Sequence, residues 1–251
     1  MNSLSLVINS HSSNSDCLSL FFKQLEKYTD TGALPKTYLF IDEIDLDSLP
    51  SYVKCIKYDS KQCFTDQMID CLSQVEEEFI LYLNEDYLFY KEPNLEFLND
   101  CLGLLSSSDL SYIRFVYTDI ESFAIFSTIL SNKIFYIPPT SQCSFSQALS
   151  LWKTKDYLKI HEVGPKAAIG IRGNTEGHFE ILAKETCKDL NIQGAVVYGE
   201  EQKRGIFHYD SDPLPHVASA LIKGKWNVSE YPELQQILDN NNIDTSTRGT
   251  I

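Results

Sequence analysis

The chain has 251 residues, 43% hydrophobic and 22% charged, enough for an ordinary globular core in one large domain or two small ones. Its formal net charge of −14 argues against bulk binding to nucleic acid or anionic lipid, which depends on many Lys and Arg contacts. The seven cysteines are odd in number, lack a C-x-x-C pair and sit mostly in apolar runs, so they read as buried thiols of a reducing compartment, not as disulfides or a zinc site.

In chain order, LSLVIN (4–9) reads as a buried strand closed by a polar Ser/His/Asn cluster. The run 4–8 has no basic flank and is too short for a signal peptide, and no stretch reaches the about 18 apolar residues of a membrane span. These features predict a cytoplasmic protein, any membrane contact being peripheral and at the inner face. Asp16 is placed to cap a helix over 17–28. KTYLFID (36–42) and VKCIKY (53–58) are the next strands, 65–74 is helical by pattern, and FILYL (79–83) is a continuous apolar strand of the kind found inside parallel sheets. Residues 93–105 predict a helix with Pro93 in its first turn. YIRFVY (112–117) and KIFYI (133–137) alternate as half-buried strands. Residues 145–159 and 176–190 predict helices, 194–199 and 205–209 a hairpin, and 230–238 a last helix before a polar tail. No internal repeat or low-complexity linker divides the chain, which predicts a single domain over 1–251.

Strands separated by helices or long loops give an α/β fold, with a mainly parallel central sheet over 4–116 and helices on both faces. Ligands of such sheets bind at the carboxyl ends of the strands. Asn9, Ser10 and His11 fall there, as do Asp42, Asp59 and the run Asn84-Glu85-Asp86.

Charge is uneven: residues 1–100 hold 18 Asp and Glu against seven Lys, while 151–225 hold 11 of the 21 Lys and Arg. An anionic ligand therefore meets basic residues in the later stretch, or a metal held by the earlier one; a solvated acidic face explains the same counts. Glu85 and Asp86 end a buried strand, where carboxylates are costly unless paired. A divalent cation on a diphosphate is one such partner, and the start of a solvated loop is the plain alternative. Glu176 and Glu180, spaced i,i+4, either hold a general base or decorate the first turns of a helix, whose dipole favours anions there. His208 and Asp210 alternate after a strand like ligands on one face, or belong to a turn before Pro213. Lys203, Arg204 and Lys225 are cations suited to a leaving diphosphate, or a solvated basic turn. No G-x-G-x-x-G, Walker A or G-x-S-x-G sequence occurs.

The order strand, helix, strand, strand, helix, then EEFILYLNEDY resembles the nucleotide-binding half of GT-A glycosyltransferases, over about residues 1–120. In that fold a D-x-D motif after the fourth strand holds a divalent metal against the donor diphosphate. Here Asn84 takes the first position and Asp86 the second, so Glu85 substitutes or metal dependence is weaker. The resemblance implies a nucleotide-sugar-binding half over 1–120, an acceptor-binding half over 121–240 and a polar tail over 241–251. It implies a nucleoside diphosphate sugar, UDP-linked by default, held by Asn9, Ser10, His11, Asp42, Asp59, Asn84, Glu85, Lys203, Arg204 and Lys225. It also implies Mn²⁺ or Mg²⁺ on Asp86 with His208 or Asp210, and Glu180 as base, with Glu176 as runner-up, after the Trp152 segment. The implied acceptor is a glycan or lipid-linked glycan, as in lipopolysaccharide or capsule biosynthesis, and the implied reaction inverts the anomeric centre. A non-catalytic GT-A-like domain that binds a nucleotide or glycan is the alternative kept open by Asn84.

Overall fold

The computed structural model describes residues 3–118, 129–131, 133–166, 179–199, 202–204 and 208–251. Strand β1 (Leu4–Asn9) leads to α1 (Ser15–Tyr28), then β2 (Lys36–Ile41), β3 (Val53–Lys57), α2 (Phe64–Leu72), β4 (Phe79–Asn84), the two-residue β5 (Leu88–Phe89) and α3 (Leu95–Ser107). The second half gives β6 (Tyr112–Arg114), β7 (Ile129–Ser131), β8 (Ile134–Ile137), β9 (Ser150–Lys153), α4 (Thr154–Val163), α5 (Phe179–Asp189) and β10 (Gly194–Val197). Five short strands follow, β11 (Lys203–Arg204), β12 (His208–Tyr209), β13 (His216–Val217), β14 (Leu221–Ile222) and β15 (Lys225–Trp226), and then α6 (Pro232–Asn240).

Nine strands form one sheet in the order β3-β2-β1-β4-β9-β6-β10-β8-β7. From the pairings, β1 to β4, β6, β7 and β10 run one way, and β8 and β9 the other. The fold is therefore α/β with a mainly parallel sheet, but the sheet is not confined to 4–116; β7, β8, β9 and β10 complete it.

Period-two alternation sorts each central strand between two cores. Leu6, Ile8, Leu39, Ile41, Leu81 and Leu83 face the side covered by α1, α3 and α6. Val7, Tyr38, Phe40, Ile80 and Tyr82 face the side covered by α2, α4 and α5. Full burial of such a side chain contributes roughly 1.5–3 kcal/mol, so the four parallel strands are pinned from both faces. Gly194 begins β10 where its backbone crosses the Tyr112 ring; a Cβ there would lie 2.0 Å from a ring carbon.

Several element boundaries differ from the sequence reading, each for a local reason. Helix α1 starts two residues earlier than expected, with Asn14 at its cap position, and Asp16 pairs with Arg248 instead of capping. Helix α3 is capped by Asn94, whose side-chain oxygen accepts the Phe97 N–H at 3.0 Å, leaving Pro93 outside. The 145–159 segment is not one helix: β9 inserts antiparallel between β4 and β6, with Leu151 on one core and Trp152 on the other. Residues 194–197 join β6 and β8 in the sheet, so the hairpin is formed by β11 and β12 alone. The polar tail is bonded down, its Ile251 N–H donating to the Trp226 carbonyl at 2.9 Å. No helix among the described residues is long and apolar enough to cross a membrane.

His161 on α4 is fully buried, stacked on Phe179 at 4.4 Å between ring centres, and neither ring nitrogen has a hydrogen-bond partner among the described residues. Burial pushes its pKa down to about 3. Unfolded, the imidazole takes a proton below its ordinary 6.5; folded, it does not until about pH 3. Protons therefore favour the unfolded chain, and stability falls as pH drops through that window, by about 1.4 kcal/mol per pH unit. His161→Phe keeps a stacking ring and removes the titration. Denaturant unfolding at pH 7.5, 6 and 5 should show a shallower acid loss than in the parent chain; an unchanged slope contradicts this account.

Candidate functional site

The carboxyl ends of β1 and β4 lie side by side, with Asn9 paired to Asn84. Beyond them opens a cleft of about 740 Å³ whose lining includes Asn9, Ser10, His11, Asn84, Glu85 and Asp86. Six of the expected ligand residues therefore converge. Their loop is held from beneath: the Tyr58 hydroxyl donates to the Ser10 carbonyl at 2.7 Å, and the Glu85 N–H to the Asn9 carbonyl at 3.3 Å. The far wall is Tyr58, Cys63, Phe64 and Gln67, from the end of β3 and the start of α2, and the near rim is Leu221 and Gly224 of the β14–β15 hairpin.

A second cleft of about 310 Å³ adjoins the first and shares Asn84 and Gln147 with it. Glu180 and His208 line this one. The Glu180 carboxylate accepts the Gln147 N–H at 2.7 Å and the Ser146 hydroxyl at 3.4 Å, which orients it toward the shared wall. Burial holds the His208 imidazole below its ordinary pKa, and its Nε2 meets the Tyr231 hydroxyl.

The Glu85 and Asp86 carboxyls carry the unusual electrostatics. Burial raises the pKa of both, and for Asp86 the neighbouring Glu85 charge adds to the rise. Their hydrogen bonds come from neutral groups, the Asn14 amide to Glu85 at 2.5 Å and the Leu221 N–H to Asp86. Among the described residues, neither is ion-paired to a Lys or Arg. Two carboxyls and the Asn84 carbonyl suit a hard divalent cation, which commonly takes one or two carboxylates and completes its shell with substrate phosphate and water. The residues present fit such an ion.

Other expected ligands are used elsewhere. Asp42 does not line the cleft; it accepts the Ser12 N–H at 2.7 Å and the Ser12 hydroxyl at 2.8 Å, and against the upward push of burial these donors hold its pKa below the usual range. It shapes the 10–14 loop. Asp59 is exposed and closes a turn onto the Lys61 N–H at 2.9 Å. Arg204 is paired with Asp210 at 2.9 Å and with Glu233 at 2.8 Å, and neither Arg204 nor Asp210 lines either cleft. Lys203 and Lys225 are exposed and line neither cleft. Asp86, His208 and Asp210 do not assemble into one metal cage, and no group of three His, Cys, Asp or Glu does so among the described residues. Glu176 lies outside the described residues. Residues the sequence reading missed are Asn14, Gln147 and Arg248; each reaches the site through a tertiary contact without a local sequence signal.

In sequence the chain matches no protein-family model and no curated protein. In structure it matches TarS of S. aureus with a TM-score of 0.52 at 12% identity, over 97% of this chain and 40% of that one. It matches GalNAc-T7, solved with UDP, GalNAc and Mn²⁺, with a TM-score of 0.52 at 10% identity, over 78% of this chain and 42% of that one. The fold is GT-A-like. This chain spans less than half the length of either neighbour. The larger cleft lies outside the carboxyl ends of β1 and β4, where open α/β sheets commonly take their ligands.

The Arg204 network predicts a structural phenotype. Arg204→Ala leaves two half-buried carboxylates without their cation, and should cost about 1–3 kcal/mol, less than a fully buried pair because solvent reaches the site. Denaturant unfolding measures the loss, and ligand binding in the first cleft should be unchanged. Wild-type stability with weakened binding would restore Arg204 to a ligand role.

Proposed function

We propose that the chain is a glycosyltransferase: it holds a nucleoside diphosphate sugar in the larger cleft and transfers the sugar to a hydroxyl presented in the smaller one. The observation that carries this reading is the contact between the two clefts at Asn84 and Gln147, with the Glu85–Asp86 carboxyls on one side and the Glu180 carboxylate on the other. A donor and an acceptor so placed meet at a shared wall, as a displacement requires. UDP is the default nucleotide, in keeping with the UDP bound to GalNAc-T7.

The chain's own residues divide the work. Asn9, Ser10 and His11 form the floor on which the nucleotide lies, and the Tyr58–Gln67 wall encloses it. Glu180, already a hydrogen-bond acceptor for Gln147 and Ser146, takes the proton of the attacking hydroxyl, which is too weak a nucleophile without a base. Asp86, with Glu85 and Asn84, would hold a divalent cation, Mn²⁺ or Mg²⁺. When bound, that cation stabilises charge on the departing diphosphate. Base and leaving group on opposite sides of the sugar give inversion at the anomeric carbon. The acceptor class that fits is a glycan or lipid-linked glycan precursor, of the lipopolysaccharide or capsule kind. Assembly would take place in the cytoplasm with peripheral contact at the membrane's inner face.

Calorimetry against a nucleotide panel with Mn²⁺ or Mg²⁺, followed by release of nucleoside diphosphate from the matching sugar donor, tests the reading. Glu180→Gln should keep nucleotide affinity and lose about 10²–10⁴-fold in turnover. Asp86→Asn should instead weaken cation-dependent nucleotide binding. Binding without any donor cleavage would favour a non-catalytic nucleotide- or glycan-binding domain, the outcome that Asn84 in place of a carboxylate would explain. Near-normal turnover by Glu180→Gln would reject Glu180 as the base and make Glu176 the next candidate, whereas a product with retained configuration would sink the displacement mechanism itself.

A further inference from the structure

Arg248 lies in a segment that bridges two walls of the larger cleft. The segment is sewn to β15 by the Trp226 N–H to the Gly249 carbonyl at 3.0 Å and the Ile251 N–H to the Trp226 carbonyl at 2.9 Å. From there the guanidinium crosses to the start of α1. Its Nε donates to one Asp16 oxygen at 2.6 Å and its Nη2 to the other, while Nη2 also reaches the Ser13 carbonyl at 2.9 Å and Asn14 Oδ1 at 3.4 Å. The Arg248 side chain is only 14% exposed.

The contact with Asn14 has a directional consequence. A guanidinium has donors only, so it donates to the oxygen end of the Asn14 amide and repels the nitrogen end. The nitrogen end is thereby turned to Glu85, where it donates to Oε1 at 2.5 Å. Reversing the amide would set NH₂ against the guanidinium and a carbonyl against the carboxyl. One cation thus fixes the orientation of a carboxyl it does not touch.

We infer that Arg248 is a positioning residue for divalent-cation binding in the larger cleft: through Asn14 it holds the Glu85 carboxyl in the one orientation that serves an ion beside Asp86. The inference rests on the nucleotide-sugar reading of that cleft and adds a residue remote in sequence, 234 positions from the amide it orients. Outer groups that orient a metal's ligands commonly contribute about 10–100-fold in metal affinity.

The test is titration of the ligand-free chain with Mn²⁺ alone and with Mn²⁺ plus UDP, free Mn²⁺ being followed by its paramagnetic resonance signal. Arg248→Ala and Asn14→Ala should each weaken Mn²⁺ affinity about tenfold. Because both break one relay, the double variant should lose no more than either single one. Thermal melting of each variant is read alongside, since a merely structural Arg248 would lower the melting temperature and leave Mn²⁺ affinity in the folded fraction unchanged. Asn14→Ala keeps the Arg248–Asp16 pair, so it carries the test if Arg248→Ala fails to fold. Wild-type Mn²⁺ affinity in Asn14→Ala, or additive losses in the double variant, overturns the inference. Absence of Mn²⁺ binding by the parent chain, with and without UDP, would instead sink the reading of the cleft itself.

Discussion

Two adjacent carboxyls, Glu85 and Asp86, are carried to the ligand edge of the sheet by β4 and pushed out of water there. Moving one ionised carboxylate from water into a protein interior costs several kcal/mol even after relaxation, and among the described residues the pair meets neutral donors, not an ion-paired cation. Their raised pKa values are the record of that cost. What makes the cost bearable is the sheet: β4 is paired on both sides, to β1 and β9, and buried on both faces, so the position of its last residues is set by two cores at once. A divalent cation beside these carboxyls would supply the positive charge that their neutral hydrogen-bond donors do not.

The rest of the site is arranged around that edge. Asp42 sets the 10–14 loop, Tyr58 supports it, and the β14–β15 hairpin forms the opposite rim with its Leu221 N–H on Asp86. The antiparallel pair of β5 with β13 keeps the 216–220 segment under the carboxyls, where the Ala220 N–H donates to the Asp86 carbonyl at 3.0 Å. Glu180 enters from α5 on the other side of Asn84, so the two carboxylate groups face a common wall from separate clefts.

The first half of this arrangement was legible in the sequence because β1 to β4 are each five or six residues long, largely apolar and followed by polar residues at the carboxyl end. That rule singled out Asn9 to His11 and Asn84 to Asp86, which line the larger cleft, and equally Asp42 and Asp59, which do not. The second half was not legible, for physical reasons. Strand β9 is four residues, too short to show alternation, and its Trp152 and Leu151 look equally at home on a helix until both cores are seen. Strand β10 pairs with β6 and β8, partners far away in sequence, so its nearness to 205–209 suggested a hairpin that β11 provides instead. The pairing of Arg204 with Asp210 was not legible, because charge on a turn carries no sign of its partner. Arg248 lies in a polar stretch without periodicity, and only tertiary structure brings it to Asp16 and Asn14.

The central claim is that donor and acceptor meet across Asn84, with the carboxyl pair on one side and Glu180 on the other. A crystal structure of the chain grown with Mn²⁺ and a nucleoside diphosphate tests it most directly. The account predicts the nucleotide along Asn9–His11 and the Tyr58–Gln67 wall, its diphosphate and the ion beside Asp86, and the smaller cleft over Glu180 left open. A nucleotide seated in the smaller cleft, or bound elsewhere with Asp86 untouched, would contradict it.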